Sequence, residues 1–388
     1  MTNPGAWHLI TGEYPPAPGG VSDYTAVLAD AMAKAGVQVH VWTGAAGTTE
    51  AGHAVTVHRI AENWTAGGLR ALTQELDHYP EPRRLLIQYV PNAWGQRGMN
   101  LEFCRWVAAR GLAGDQIRLM VHEPFLPYQF SLGPARWYMA RVQRRMMRTL
   151  LAAADKVYLS IPGWEPMLKP YAPKRGKPME WLPVFSNIPF AFNPDLVRDL
   201  RAELASPLQL VVGSFGTFGG EIGRMTAEIF GKLLPKRTET VGLLIGRGSK
   251  KLAAQVLAAG AVPATRLFAF EDVTAEEVSL RLQGCDVMVQ PYPDGVSSRR
   301  SSTLAGLSHG LPIVTNDGFL TDPIWGEPGG VAAIRDFAAD DLIALVTAFL
   351  RCEDTRIAFG DSARELYDTH FAVEHTVAEL LGGPKVEA

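Results

Sequence analysis

WHLITGEYPPAPGGVSDYTAVLADAMAKAGVQVHVWTG, residues 7–44, changes its hydrophobic period twice. WHLITG (7–12) is an apolar run of strand length, and EYPPAPGG (13–20) is broken by proline and glycine. VSDYTAVLADAMAKAG then returns apolar side chains at mainly helical spacing through Val21, Tyr24, Ala26, Leu28, Ala31 and Met32. Gly36 stops that helix as a C-terminal cap would, and VQVHVWTG (37–44) alternates as a strand. Strand, glycine loop, helix and strand make a βαβ unit, which predicts an α/β protein with a parallel sheet.

Further apolar runs extend the pattern in both directions. LLIQYV (85–90), IRLMVH (117–122) and KVYLSI (156–161) read as strands separated by helical stretches. A second unit opens at LQLVVGSFG (208–216), again a strand running into a glycine turn. VGLLIG (241–246), RLFAF (266–270), DVMVQPY (286–292) and PIVTND (312–317) follow at the spacing of alternating strands and helices. Between the units WLPVFSNIPFAFNP (181–194) is rich in Pro and Asn and lacks periodicity. We therefore expect two Rossmann-like domains, 1–185 and 207–365, joined by a linker at 186–206. Two such domains would enclose a cleft at the carboxyl ends of their strands.

Composition agrees with that size. The chain has 388 residues, 47% hydrophobic and 20% charged, which suits two to three globular domains and excludes disordered or fibrous chains. No apolar run approaches the ~18–20 residues that span a bilayer, and MTNPGAWHLITG lacks the form of a secretion signal. Cys104, Cys285 and Cys352 are odd in number, far apart and not in metal-ligand spacing, so a cytoplasmic enzyme without a disulfide framework is expected. Residues 1–190 carry 19 Lys and Arg against 14 Asp and Glu, and residues 191–388 carry 18 against 26, which together give the net charge of −3. Neither half holds the cationic stripe that nucleic-acid binding needs.

Several stretches carry candidate chemistry. In PAPGGVSDY (16–24), Gly19 and Gly20 leave room for a phosphate or sugar ahead of a helix N-terminus that also bears Asp23. A flexible turn with Ser22 as N-cap explains the same letters, and the dinucleotide fingerprint is not met. GSFGTFGGEIG (213–223) follows a strand directly but lacks the Gly-Lys-Ser/Thr of a P-loop. Gly216 and Thr217 lie in this turn, and Arg224 beyond it offers a positive charge to a diphosphate or is a solvated helix arginine. The richest stretch is QPYPDGVSSRRSSTLAGLSHGLPIVTND (290–317), where Arg299 and Arg300 precede Ser301, Ser302 and Thr303 at a helix start. Hydroxyls, helix amides and guanidinium groups make an anion site there, with Asp294 as the nearby acid. The plain alternative is an N-cap with two surface arginines. His122, at the end of a strand in LMVHEP (119–124), can donate to a sugar hydroxyl or polarise a reacting group, or be structural. No zinc constellation is present. ARWYMARVQRRMMRTLLAA (135–153) reads as a basic amphipathic helix with Tyr138, Val142, Met146 and Leu150 on one stripe and Arg141, Arg144, Arg145 and Arg148 on another. Its 136–148 face suits peripheral contact with anionic lipid, or plain solvation.

EYPPAPGGVSDYT, VHEPF, SNIP, GSFG, FEDV, CDVMVQPY and SHGLPIVT stand in the order found in GT-B glycosyltransferases. Over residues 7–380 the chain most resembles glycosyltransferase family 4. The resemblance implies two facing Rossmann-like domains with a C-terminal helix, 366–388, crossing back to the first. It also implies transfer of a sugar from a nucleotide-diphosphate donor with retention of configuration, without a metal or other cofactor. By the same resemblance Gly19 and Gly20 approach the diphosphate and the sugar, His122 lies beside the sugar, and the GSFG turn and residues 301–303 bind the donor. The family's two glutamates, eight positions apart, fall on Ser297 and Ala305 when HGLP (309–312) is aligned. Its basic pair falls on Thr217 and Ile222. Arg299, Arg300 and Arg224 are the available replacements for that charge.

The expected function is thus a glycosyltransferase of hexosyltransferase type, cytoplasmic or membrane-associated, acting on an unidentified acceptor. In it Arg300 and His122 are catalytic. A nucleotide-sugar epimerase on the same scaffold, or a degenerate member that binds nucleotide or a partner without catalysis, is the alternative.

Overall fold

The computed structural model describes residues 5–44, 50, 51, 54–128, 133–174, 177–326 and 330–382. Strand β1 (Trp7–Thr11) is buried along its whole length, which is why its apolar run does not alternate. It pairs in parallel with β2 (Val39–Thr43) and β5 (Arg84–Tyr89), Leu9 lying beside both Val41 and Leu86. With β3 (Glu50–Ala51), β4 (Val55–Arg59), β6 (Gln116–Val121), β7 (Lys156–Leu159) and β8 (Met179–Trp181), the order is β3-β4-β2-β1-β5-β6-β7-β8. Among the described residues only β3 runs antiparallel to its neighbour. Strands β4 and β8 have no counterpart among the runs read from the sequence.

Helix α1 (Gly20–Lys34) connects β1 to β2 and ends as predicted. Gly36, at φ +84°, sits in the left-handed region, Val37 N–H donates to Met32 O, and Gly36 N–H donates to Ala33 O. Its buried residues are Ser22, Tyr24, Thr25, Leu28, Ala29 and Met32, so the covered face includes small polar residues and the helix leaves Val21, Ala26 and Ala31 only half-buried. The N-cap is Gly19, not Ser22, whose hydroxyl instead donates back to Ala17 O at 2.7 Å.

The remaining helices of this unit are α2 (Ala66–Leu76), α3 (Leu101–Leu112), α4 (Pro134–Ala153) and α5 (Trp164–Leu168). The unit runs to Val184 and takes in the segment from Val373. That segment forms α13 (Val373–Leu381), which packs on α1. Glu379 accepts from Lys156 Nζ at 2.5 Å and from Tyr158 Oη at 3.3 Å, and Arg118 donates to Leu380 O.

The second unit spans Phe185–Ala372. Within 186–206, set apart above as a linker, α6 (Pro194–Leu204) forms behind an Asn193 cap that accepts from Leu196 N–H. Arg201 ties it down by donating to Gly284 O and to Asp286 Oδ2 at 2.8 Å. The sheet holds β9 (Leu210–Phe215), β10 (Thr240–Ile245), β11 (Leu267–Phe270), β12 (Val287–Gln290), β13 (Ile313–Asn316) and β14 (Val331–Ile334), in the order β11-β10-β9-β12-β13-β14. All pairs are parallel. This is the doubly wound Rossmann order, with its reversal between β9 and β12. Val212, Leu244, Val287 and Val314 pack against Ile229, Phe230 and Leu233 of α7 (Gly220–Lys236) and Leu342 and Val346 of α11 (Ala339–Arg351). Helices α8 (Ser249–Ala258), α9 (Ala275–Gln283), α10 (Ser301–Ser308) and α12 (Glu353–His370) complete the layers.

Candidate functional site

Ligands of doubly wound sheets bind where the strand order reverses, because the loops leaving the two central strands diverge there. In the second unit those loops follow β9 and β12. Gly216, at φ +142°, makes the first turn, and a Cβ on it would stand 3.5 Å from the Ser302 side chain. Beneath it Gly246 presses so close that a Cβ would lie 2.3 Å from the Gly216 carbonyl oxygen. Gln290, the last residue of β12, bridges the two loops. Its Oε1 accepts from Ser214 Oγ at 2.8 Å and Phe215 N–H at 3.2 Å, while its Nε2 donates to Phe215 O at 2.7 Å.

The loop after β12 brings Tyr292, Asp294, Arg299 and Arg300 together. Tyr292 is held by Asn316, which accepts from its N–H at 2.9 Å and donates to its carbonyl at 2.8 Å. The Tyr292 hydroxyl contacts Ser302 Oγ at 2.8 Å and Thr303 Oγ1 at 2.7 Å, and its ring lies 4.5 Å from the Arg300 guanidinium. Thus one aromatic side chain sets both the start of α10 and the cation beside it. Arg299 and Arg300 each donate to a different oxygen of Asp294. All three side chains are mostly buried, at 15%, 18% and 14% exposure, so neither arginine points into bulk solvent. Ser301 and Ser302 are half-buried in the first turn of α10, and no side chain caps that helix. Asp322 supports the loop from behind, accepting Ser298 N–H at 2.5 Å and Trp325 Nε1–H at 3.3 Å. Burial raises its carboxyl above the ordinary value, while the Ser298 and Trp325 hydrogen bonds and the Arg299 charge oppose that rise.

Two further residues were expected at this site. Arg224 is exposed on α7 and is already paired with Glu221 and Glu228, so its charge is balanced on its own helix. Thr217 is exposed at the tip of the glycine turn.

In the first unit Gly19, Gly20, Asp23 and His122 gather around α1. A Cβ on Gly19 would stand 2.4 Å from a Glu13 carboxylate oxygen, whereas Gly20 faces open space. The obstruction at Gly19 is the end of the flexible Glu13 side chain and its backbone is extended, so a small side chain fits at either position if Glu13 turns aside. Asp23, half-buried, sits in the first turn of α1, its N–H on Gly19 O. Next along the helix, the Tyr24 ring meets the His122 imidazole edge-on at 4.8 Å. His122 is 7% exposed, and its Nε2 shares a 2.7 Å hydrogen bond with Gln88 Oε1. Burial pushes it down to about 3, so at neutral pH it is an uncharged hydrogen-bonding group. Its carbonyl accepts from Ser160 Oγ and Trp164 Nε1.

Helix α4 departs from its expected stripes. Tyr138 is exposed, and Gln143 and Arg144 are buried. Gln143 accepts from Leu126 N–H, and Arg144 donates to Leu126 O and Ala140 O while stacking on Phe125. The exposed arginines are Arg136, Arg141, Arg145 and Arg148. Among the described residues no helix is long and apolar enough to cross a membrane, and no group of three or more His, Cys, Asp or Glu is placed to hold a metal ion.

Sequence reasoning passed over Gln290, Tyr292, Asp322 and Gln88 as site residues. Gln290 and Tyr292 lay inside the stretch already singled out, and a polar residue closing an otherwise apolar strand was the available signal. Asp322 gave none, because its partner is 24 residues away.

No family model and no curated protein sequence matches the chain. Solved structures do. Sucrose-phosphate synthase from Thermosynechococcus elongatus is similar at a TM-score of 0.70 and 17% identity, over 97% of both chains. WaaG, a glycosyltransferase involved in lipopolysaccharide biosynthesis, is similar at 0.67 and 16% identity, over 97% of this chain and 100% of its own. Anabaena HepE in complex with UDP and glucose is similar at 0.70 and 12% identity, over 97% of this chain and 98% of its own. At these identities the likeness is one of fold, and the fold is GT-B, shared with glycosyltransferases.

Proposed function

We propose that the chain transfers a glycosyl group from a nucleotide-diphosphate sugar, with retention of configuration and without a metal ion. The observation that carries this reading is the convergence of Arg299, Arg300, the start of α10 and the Gly216 turn where the strand order of the second unit reverses. Breaking the anomeric C–O bond leaves negative charge growing on the diphosphate, and fixed cations and helix amides stabilise charge where it develops. Arg300, backed by the Tyr292 ring, supplies that charge with Arg299. Ser301, Ser302 and Thr303 supply hydroxyls, and Gly216 allows close approach. The UDP and UDP-glucose bound in HepE support a uridine donor. In the first unit the Gly19–Gly20 loop and Asp23 form a ligand-facing corner, with His122 as the neutral post beneath it. For contact of α4 with anionic lipid the exposed stripe Arg141, Arg145 and Arg148 is the available surface, and flotation with anionic vesicles tests it.

A second reading, nucleotide binding without transfer, is favoured by one observation. Ser297 and Ala305, which stand where the resembled family carries glutamates, are both fully buried and hold no carboxylate. A thermal-shift series with UDP, GDP, ADP and dTDP tests the donor site, since a ligand of the native state alone raises its melting temperature. UDP is expected to give the largest rise, and a flat response to all four rejects the donor reading. Hydrolysis of UDP-glucose followed by NMR then separates the alternatives. A rate above buffer supports transfer, a new sugar nucleotide indicates epimerisation, and binding without turnover selects the second reading.

A further inference from the structure

The charge around the anion site is already balanced. Arg299 and Arg300 face Asp294, which receives one guanidinium on each oxygen, and Arg299 also faces Asp322. Two cations and two carboxyls leave little net attraction for an incoming polyanion. Yet the bonds to Asp294 do not exhaust the donors. A guanidinium carries five N–H groups, and Arg300 leaves its buried Nε–H without an acceptor. Asp294 itself sits in a sharp turn of this loop. Gly295, at φ +86°, follows it, and a Cβ there would stand 2.2 Å from Gly318 N. The backbone of the turn is therefore pinned, with Asp294 O accepting from Leu320 N–H at 3.0 Å, and only the Asp294 side chain is left to rotate.

We propose that Asp294 is an internal counter-ion that occupies the arginine pair and must be displaced by the diphosphate, so that it sets how tightly the site binds anions. The inference rests on the donor-site reading above. A carboxylate that bridges two arginines is replaced without loss only by an anion that also reaches both, as the oxygens of inorganic phosphate and of pyrophosphate do. Asp294 thereby lowers the affinity for both by a common factor, the cost of its own displacement. In this role it is an affinity-setting residue that binds no substrate, the opposite of a residue that holds the donor.

Titration calorimetry of the full chain with inorganic pyrophosphate and with inorganic phosphate tests it, comparing the wild type with Asp294→Asn. The variant is expected to bind both pyrophosphate and phosphate about tenfold more tightly. Its melting temperature without ligand should fall, because two partly buried arginines lose their partner, and pyrophosphate should restore more than it adds to the wild type. As a second variant, Asp294→Ser opens space for a free carboxylate. Acetate should then compete with pyrophosphate in Asp294→Ser and not in the wild type. Weaker pyrophosphate binding by Asp294→Asn, or acetate without effect on Asp294→Ser, overturns the inference while leaving the donor reading intact. Failure of the wild type and both variants to bind pyrophosphate or UDP overturns both.

Discussion

Lowering the pH from about 7.5 to about 5 loads protons onto histidines that the fold keeps neutral. Burial pushes His8 and His122 down to about 3 and His309 to about 4 from an ordinary 6.5. For His8 the neighbouring His40, His58, Arg83 and Arg110 add to the effect of burial. The unfolded chain therefore takes up protons near pH 6.5, and the folded chain does so only near 3–4. Because the folded values are lowered, their contribution to stability is fully present above 6.5 and is lost as the pH falls toward those values. At about pH 5, about 1.5 units below the unfolded value, each such histidine costs about 2 kcal/mol. His8 and His122 together take about 4 kcal/mol from the first unit, to which the less buried His58, lowered to about 4, adds, whereas the second loses about 2 kcal/mol through His309. The raised carboxyl of Asp322 softens the second loss, since it gains its proton in the folded state first. At about 2–4 °C per kcal/mol the first unit should melt about 8–16 °C lower at the acidic pH. His8→Gln is the sharpest control. Trp42 Nε1–H donates to His8 Nδ1 at 3.1 Å, and glutamine keeps an acceptor there without titrating. Scanning calorimetry with hydrogen exchange to assign the transitions should show the acid shift of the first unit cut by roughly a third to a half in this variant. Equal acid shifts in His8→Gln and the wild type would refute the claim that burial holds His8 neutral.

Arg300→Ala should lower donor turnover about 100-fold or more while moving the melting temperature by only a few degrees, read by steady-state kinetics beside a thermal melt. Equal turnover removes Arg300 from the chemistry. Gln290→Leu removes three hydrogen bonds between β12 and the glycine turn, and urea titration should record a loss of about 3 kcal/mol together with weakened UDP binding. Gly246→Ala places a Cβ within 2.3 Å of Gly216 O at a positive φ, so it should destabilise by about 2 kcal/mol or more and abolish the UDP thermal shift.

Which elements could be read from the letters follows from how they are covered. LLIQYV, VGLLIG and DVMVQPY became β5, β10 and β12 because a parallel strand buried on both faces needs a continuous apolar run. VTVHR of β4 is half-exposed at most positions, MEW of β8 is a three-residue edge, and VAAI of β14 is an edge strand half made of alanine, so each lacked that signature. Helix α4 shows a different failure. Periodicity predicts an apolar stripe, but the chain entering after His122 presents bare backbone groups at Leu126, and these are satisfied by Gln143 and Arg144 turned inward. Charge on the letters said outside, and an unmet hydrogen bond elsewhere in the chain decided inside.

The same contrast governs the site. Glycine and hydroxyl residues advertise themselves, because only they permit a close approach or open a helix without a long side chain, so Gly216 and Ser301–Thr303 were legible. What makes them a site is a set of pairings that cross long stretches of sequence. Gln290 binds the turn at 214–215, Asn316 fixes Tyr292, and Tyr292 in turn fixes both Arg300 and the start of α10. The first pairing exists because β9 and β12 lie side by side where the strand order reverses, the second because β12 neighbours β13, and the third closes the single loop between β12 and α10. Asp294 is the clearest instance. In the sequence PDG reads as a turn, the ordinary place for an aspartate. Only its position between two guanidinium groups turns it into the residue that decides how much positive charge the site has to offer.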